Sequence, residues 1–338
     1  MYNLLNHFRV TIWWHALAPQ VFGWVYFCLL VQPVPDLPVM RFVQFSVALI
    51  GISAFGYLFN DWCDVETDRL SGKNNVLANK PAVLRAILVF APLAAGMYSW
   101  KLLNAGAWAN LFMGLQILAL TAYSLPPARL KARSVWGALA DAFYGHINPV
   151  LITLSVFLQQ PIEWNLFAIL FLIVLLSCLA LKGFRNILTH QIEDRKKDRK
   201  AHINTFVNSI GALNSLDLVN LLLWVENVFT IALGVLLIVL FPPLITAWLL
   251  FPAVTYLKFS GWKLSYLPKR QLRFKFLFYL NDFYEAWLPL FLLIVLVVKQ
   301  PVFYPLLIFH VVLFPRFITG LIMDVKTIAE NFKTEEDY

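Results

Sequence analysis

Apolar residues run along this chain in long unbroken blocks, not in the strict alternation of half-buried strands. The blocks lie at roughly 11–32, 40–60, 84–103, 107–125, 137–159, 164–188, 218–240, 243–258, 280–299 and 301–322. Most come close to the about 20 residues that carry a helix across a bilayer. The short eighth block is parted from the seventh only by Phe241-Pro242-Pro243, which predicts a broken or tilted pair. The pattern therefore predicts an all-α polytopic membrane protein, a nine- or ten-helix transmembrane bundle forming a single domain over 1–338.

Composition sharpens this. With 60% hydrophobic and only 14% charged residues, a water-soluble fold and a disordered chain are both excluded. The N-terminal MYNLLNHFRVTIWW enters its apolar block without a small-residue cleavage site, so it is expected to be the first span and not a removable signal. Cys28, Cys63 and Cys178 are scattered and lack metal or disulfide spacing.

The formal net charge of +8 resembles a nucleic-acid footprint only until its placement is considered. Of 27 Lys and Arg, all but Arg41, Lys101 and Lys299 fall at the two termini or near even-to-odd connections. That one-sidedness is the positive-inside pattern, so no nucleic-acid partner is expected. It assigns both termini and these loops to the cytoplasm, which requires an even number of spans. A multi-pass protein without a transit-like leader is expected in a bacterial cytoplasmic membrane.

Carboxylates crowd two of the same loops, where orientation gains little from them. At the end of the second block, Asn60, Asp61, Asp64 and Asp68 follow N-D-x-x-D-x-x-x-D within GYLFNDWCDVETDRLSGKNN. On a helix, Asp61, Asp64 and Asp68 fall within about 60° of one another and form one acidic stripe. Three stacked like charges call for a counter-ion, and hard oxygen ligands of this kind suit Mg²⁺ held between carboxylates and a phosphorylated substrate. Four blocks later, Asp194 and Asp198 lie at i and i+4 with Gln191 on the same side. Both clusters end an even-numbered block on the same predicted face. Cations that a phosphorylated ligand needs surround them: Arg69, Lys73 and Lys80 after the first, Arg195, Lys197 and Arg199 within the second, and Arg129, Lys131 and Arg133 between. For each of these, orientation of the chain competes with a ligand role, and Arg129 and Lys131 stand out.

NDWCDVETD at 60–68, YSLPPARLK at 123–131 and DRKKD at 194–198 resemble, in order and spacing, the signatures of the UbiA superfamily of intramembrane prenyltransferases. The resemblance covers nearly the whole chain. It implies a helical bundle with a central cavity, capped on the cytoplasmic side by the acidic-motif loops, that binds an isoprenyl diphosphate through Mg²⁺. By it, Asn60, Asp61, Asp64 and Asp68 serve one metal and Asp194 and Asp198 the other, while Tyr123 and Lys131 contact the diphosphate or help it leave. Asn60, Arg69, Arg129, Gln191 and Arg195 are expected to bind substrate. Many members carry a third carboxylate where this chain has Gln191, and Lys where it has Pro127, so Lys131 is expected to stand in for that lysine. The family usually shows nine spans.

A site of this kind binds charge at one end and shields an allylic cation from water at the other. The expected activity is prenyl transfer from an isoprenyl diphosphate donor to a hydrophobic acceptor, aromatic or lipid-like, with the bilayer as solvent. The same motifs fit a membrane terpene cyclase or a phosphoribosyl transferase acting on a polyprenyl phosphate. A transporter is disfavoured because the acids lie at span ends and not near the midplane. Asp141, His146 and Asn148 either contact an acceptor or satisfy a helix break near Pro149; Glu226, Asp282 and Glu285 are further intramembrane ionisable groups with a functional default.

Overall fold

The computed structural model describes residues 10–32, 34, 38–160, 162–201, 203–264, 276–323 and 325–326. Of the basic residues that set the expected sidedness, Arg9, Lys269, Arg270, Arg273, Lys275 and Lys333 lie outside them. Helices run in the order α1 (Val10–Val31), α2 (Val39–Ser71), α3 (Ala82–Leu103), α4 (Ala107–Ser124), α5 (Val135–Ala142), α6 (Asn148–Phe157), α7 (Leu166–Lys200), α8 (Phe206–Ile210), α9 (Ala212–Leu240), α10 (Ile245–Leu264), α11 (Tyr279–Asp282), α12 (Leu288–Lys299), α13 (Tyr304–Leu313) and α14 (Arg316–Met323). Among the described residues the only β-type pairing is an isolated bridge between Ser134 and Thr205. Among the described residues, six helical segments are long and apolar enough to cross a membrane, and α13 with α14, bent by 49° at their break, makes up to seven when the pair is counted as one span.

Two departures from simple spans matter for function. First, α2 and α7 do not stop where hydropathy stops: each continues through its acidic cluster, to Ser71 and to Lys200. Second, the fifth block is broken by a π-turn, Phe143–Ile147, between α5 and α6. Pro149 explains it, because a proline lacks an N–H and its ring crowds the carbonyl four residues back. The Tyr144 carbonyl, which would face that missing N–H across a π-turn, accepts instead from Gln116 Nε2 at 2.9 Å. Asn148 Nδ2 completes the repair through Phe112 O at 2.9 Å and Gln116 Oε1 at 2.7 Å. A second π-turn, Phe283–Trp287, precedes Pro289 in the same way, so FY-x₄-P recurs with the same local structure.

The chain divides into two compact units. The first contains residues 34–163 and 176–226 together with the chain up to Trp14. Here α2 and α3 cross at Gly51 and Gly96, so closely that a Cβ on Gly51 would lie 2.4 Å from Pro92 O. Phe55, Leu58 and Phe59 of α2 pack with Val89 of α3 and with Leu77 of the α2–α3 loop. The second unit contains His15–Pro33, Trp164–Leu175 and the chain from Asn227 onward. Its core is rich in rings, with Phe251 against Tyr279, Phe283 and Trp287.

Candidate active site

The site is assembled inside the first unit by the ends of α2, α4 and α7 and the turns that follow them. Asp61 and Asp64 are buried on α2, 2% and 8% exposed, despite their charge. Burial of that kind requires partners. Lys131, carried by a helical turn at Leu130–Ala132, supplies one: its Nζ lies 2.5 Å from Asp64 Oδ2 and 2.9 Å from Asn60 Oδ1. Arg129 Nη2 reaches Asp64 Oδ1 at 3.3 Å and Thr67 Oγ1 at 2.8 Å. Ser124 Oγ donates to Asn60 Oδ1 at 2.9 Å.

Local sequence explains the placement of Lys131. Arg129 adopts a left-handed conformation at φ 36°, turning the chain after the two prolines, and α5 then packs directly on the turn. Gly137 makes that approach feasible: a Cβ there would lie 2.9 Å from Lys131 Cα and 2.8 Å from Leu130 O. The segment is further tied to the one before α8, with Ser134 N bonded to Asn204 O at 2.9 Å. Burial holds the Lys131 pKa below the ordinary lysine value; Asp64 opposes the shift without cancelling it, and Arg129 adds to it.

Beyond α2, Gly72 at φ 70° ends the helix in a Schellman-type turn, with Lys73 N bonded to Asp68 O at 2.9 Å. Asn75 holds the returning chain, donating through Nδ2 to Asp68 Oδ2 at 2.8 Å and to Asp61 O at 2.7 Å, and accepting from Leu77 N at 2.9 Å. With Leu77 anchored in the apolar cluster, Lys73 is delivered to α7. Its Nζ sits 3.0 Å from Asp194 Oδ2 and 3.3 Å from Asp198 Oδ1. Burial works against its charge, but the two carboxylates prevail and hold its pKa above the ordinary lysine value.

The structure thus brings Asn60, Asp64, Arg129 and Lys131 together, and links the two acid clusters through the loop bearing Lys73 and Asn75. Tyr123 on α4 packs edge-on against Tyr144, centroids 5.2 Å apart, within electrostatic reach of Asp64, Asp141 and Asp198. Three predicted ligands are placed otherwise. Arg69 is exposed and paired with Glu66 at 2.6 Å. Gln191 turns its Oε1 toward Val207 N at 3.3 Å, so this oxygen holds α8. Arg195 buries an unpartnered Nε, and among the described residues no hydrogen bond or ion pair ties it to either acid cluster. Among the described residues, no three His, Cys, Asp or Glu side chains converge as a ready-made metal cage.

The deeper ionisable groups largely have structural partners. Asp141 accepts from the Tyr144 hydroxyl at 2.6 Å. Glu226, fully buried, grips Arg185 in a two-pronged pair at 2.5 and 3.0 Å. In the second unit Asp282 and Glu285 both hold Arg316, at 3.0 and 2.5 Å. Lys73 and Asn75 were visible in the sequence as members of a basic, polar loop. What singles them out, their reach to Asp194, Asp198 and Asp68, is not a property of spacing.

Comparison with known proteins bears on the fold and the family. A homogentisate phytyltransferase from Synechocystis sp. is 28% identical over 165 residues, covering 46% of this chain and 50% of the relative. The chain thus spans about half the length of that curated relative. A UbiA homologue from Archaeoglobus fulgidus, solved bound to DMAPP and Mg²⁺, is similar with a TM-score of 0.59 at 17% identity, over 87% of this chain and 99% of that one. The homologue bound to GPP and Mg²⁺ gives 0.59 at 16% identity, over 86% and 98%. These likenesses show the shared fold. Residues 16–282 match the UbiA prenyltransferase family as a sequence family, and with that match spanning most of the chain, the protein belongs to it.

Proposed function

We propose that the chain, as one domain over 1–338, is a Mg²⁺-dependent intramembrane prenyltransferase that ionises an isoprenyl diphosphate and transfers the prenyl group to a hydrophobic aromatic acceptor. The observation that carries this reading is the pairing of three cations with two acid clusters at helix ends: Lys131 and Arg129 on Asp64, Lys73 on Asp194 and Asp198. A diphosphate brings the anionic oxygens these cations can also serve.

The donor set fits Mg²⁺ although no three-carboxylate cage is found among the described residues. Mg²⁺ is usually held by one or two carboxylates, with water and substrate phosphate completing its shell. Asp61, Asp64 and Asp68 would hold one ion, with Asn60 beside them, and Asp194 and Asp198 another. When bound, the metal neutralises charge on the diphosphate oxygens and makes the diphosphate a better leaving group. The chain's own residues do the rest. Lys131 and Arg129 donate to the diphosphate and orient it; Tyr123, packed against Tyr144, offers a further hydroxyl donor. The Tyr123–Tyr144 pair supplies aromatic faces that favour an allylic cation, and apolar helix surface excludes the water that would quench it.

Similarity to a homogentisate phytyltransferase supports an aromatic acceptor. The charge asymmetry supports a site facing the cytoplasm, with both termini on that side. The test is to incubate purified protein in nanodiscs with labelled isoprenyl diphosphates, a phenolic acceptor such as homogentisate, and Mg²⁺. A prenylated product by mass spectrometry is expected. EDTA should abolish it, Mg²⁺ should restore it, and Asp64→Asn or Asp194→Asn should lower the rate by at least about 100-fold. A cyclic hydrocarbon or alcohol formed without acceptor would assign a cyclase instead, and no diphosphate release from any donor would overturn the reading.

A further inference from the structure

We propose that Lys73 is an exchangeable counter-ion: it neutralises Asp194 and Asp198 in the ligand-free protein and passes to the diphosphate when a divalent cation takes its place, so that metal and diphosphate bind interdependently. This rests on the reading of the site as a metal-diphosphate site.

Asp194 and Asp198 are one turn apart on α7, where two ionised carboxylates repel. Lys73 Nζ is within 3.3 Å of an oxygen of each. Mg²⁺ coordinates carboxylate oxygen at about 2.0–2.1 Å and would use those oxygens, leaving an ammonium ion beside a dication. The cation therefore has to leave or find a new anion. Lys73 is equipped for this. Its side chain is 29% exposed, on a flexible stem with a movable point charge. Its backbone is fixed by the turn at Gly72, the Asn75 bridge and the Leu77 anchor, so the ammonium can swing without carrying the loop away. Lys131 differs: only 9% of its side chain is exposed, and it is held by both Asn60 and Asp64. The same two acid clusters thus contain one fixed ammonium group and one mobile one, with the Arg129 guanidinium beside the fixed one.

The consequence is a pair of effects of opposite sign. Removing Lys73 should free the second acid pair for a metal while depriving the diphosphate of a donor. Mn²⁺ binding to detergent-solubilised protein is followed by electron paramagnetic resonance without any other ligand, and inorganic diphosphate binding is followed by calorimetry at saturating Mg²⁺. For Lys73→Ala we expect Mn²⁺ to bind about threefold to tenfold tighter and inorganic diphosphate about tenfold weaker. Lys73→Met, which keeps the apolar stem, should do the same, and Lys73→Arg should stay near the parent protein in both. Lys196→Ala, which removes an exposed charge on the same helix, should not reproduce the opposed shifts. Mn²⁺ affinity that is unchanged, or that falls together with diphosphate affinity, in both Lys73→Ala and Lys73→Met would overturn the proposal. The Mn²⁺ titration needs no turnover, so it decides the role of Lys73 separately from whether the chain transfers prenyl groups.

Discussion

At the scale of single residues, the site is a set of buried charges whose partners come from distant parts of the chain. Lys131 is the clearest case. Its ammonium is the form that can donate to a diphosphate, yet burial lowers its pKa from the ordinary value of 10.5. The sign follows directly: affinity that needs the ammonium is present below the lowered pKa and is lost as pH rises through it. The KM for isoprenyl diphosphate should therefore rise on an alkaline limb lying below pH 10.5, and Lys131→Arg should move that limb upward, because guanidinium keeps its proton. A limb in the same place in both proteins would remove Lys131 from the diphosphate site. The sequence singled out Lys131 and Arg129 as basic residues in a loop, and their partner Asp64 as one acid of a stripe. It also nominated Arg69, which lies in the same run and points to solvent with Glu66.

At the scale of elements, close approaches between backbones set the site geometry. Gly137 lets α5 rest on the Lys131 turn, and a methyl group there meets backbone atoms that cannot rotate away. Gly137→Ala should raise the KM for isoprenyl diphosphate about tenfold, by displacing Lys131, while the protein still elutes as a folded species; an unchanged KM would show that the turn can shift freely. Overpacking of this kind costs about 1–3 kcal/mol. A different element-scale feature is the Arg185–Glu226 pair joining α7 to α9, with both side chains fully buried. Glu226→Gln leaves the guanidinium without its counter-charge and should destabilise the protein by about 3–5 kcal/mol, read as a marked fall in thermal midpoint. Replacing both partners by apolar residues should recover much of that loss. Hydropathy marked the helices that carry these residues but missed how they end. α2 and α7 run on through polar sequence because acidic stripes find cations there, a gain that an apolarity window does not register.

At the scale of the whole molecule, a membrane setting follows from composition and the helices from block hydropathy, while function depends on which loops share a face. If the charge asymmetry orients the chain as proposed, single cysteines introduced at Lys196 and Glu163, with the native cysteines replaced, should react with a membrane-impermeant maleimide from opposite sides. Position 196 should label in inverted vesicles and position 163 in right-side-out cells; labelling of both from one side would refute the assigned sidedness.

The sequence by itself determined the solvent, the helices and the chemistry on offer, because block hydropathy, one-sided charge and i, i+3, i+7 spacing are local properties that persist in any helical packing. It also carried the repeated FY-x₄-P segments, whose π-turns become intelligible only once Gln116 is seen answering the Tyr144 carbonyl beside Pro149. Only the tertiary structure decided that Lys131 and not Arg69 meets the first acid cluster, that Gln191 supports α8, and that Lys73 spans the loop to Asp194 and Asp198. The physical reason is range: a buried carboxylate must be neutralised within about 4 Å, and which cation arrives there is set by backbone turns and close helix contacts that bring together segments 65 to 125 residues apart in sequence.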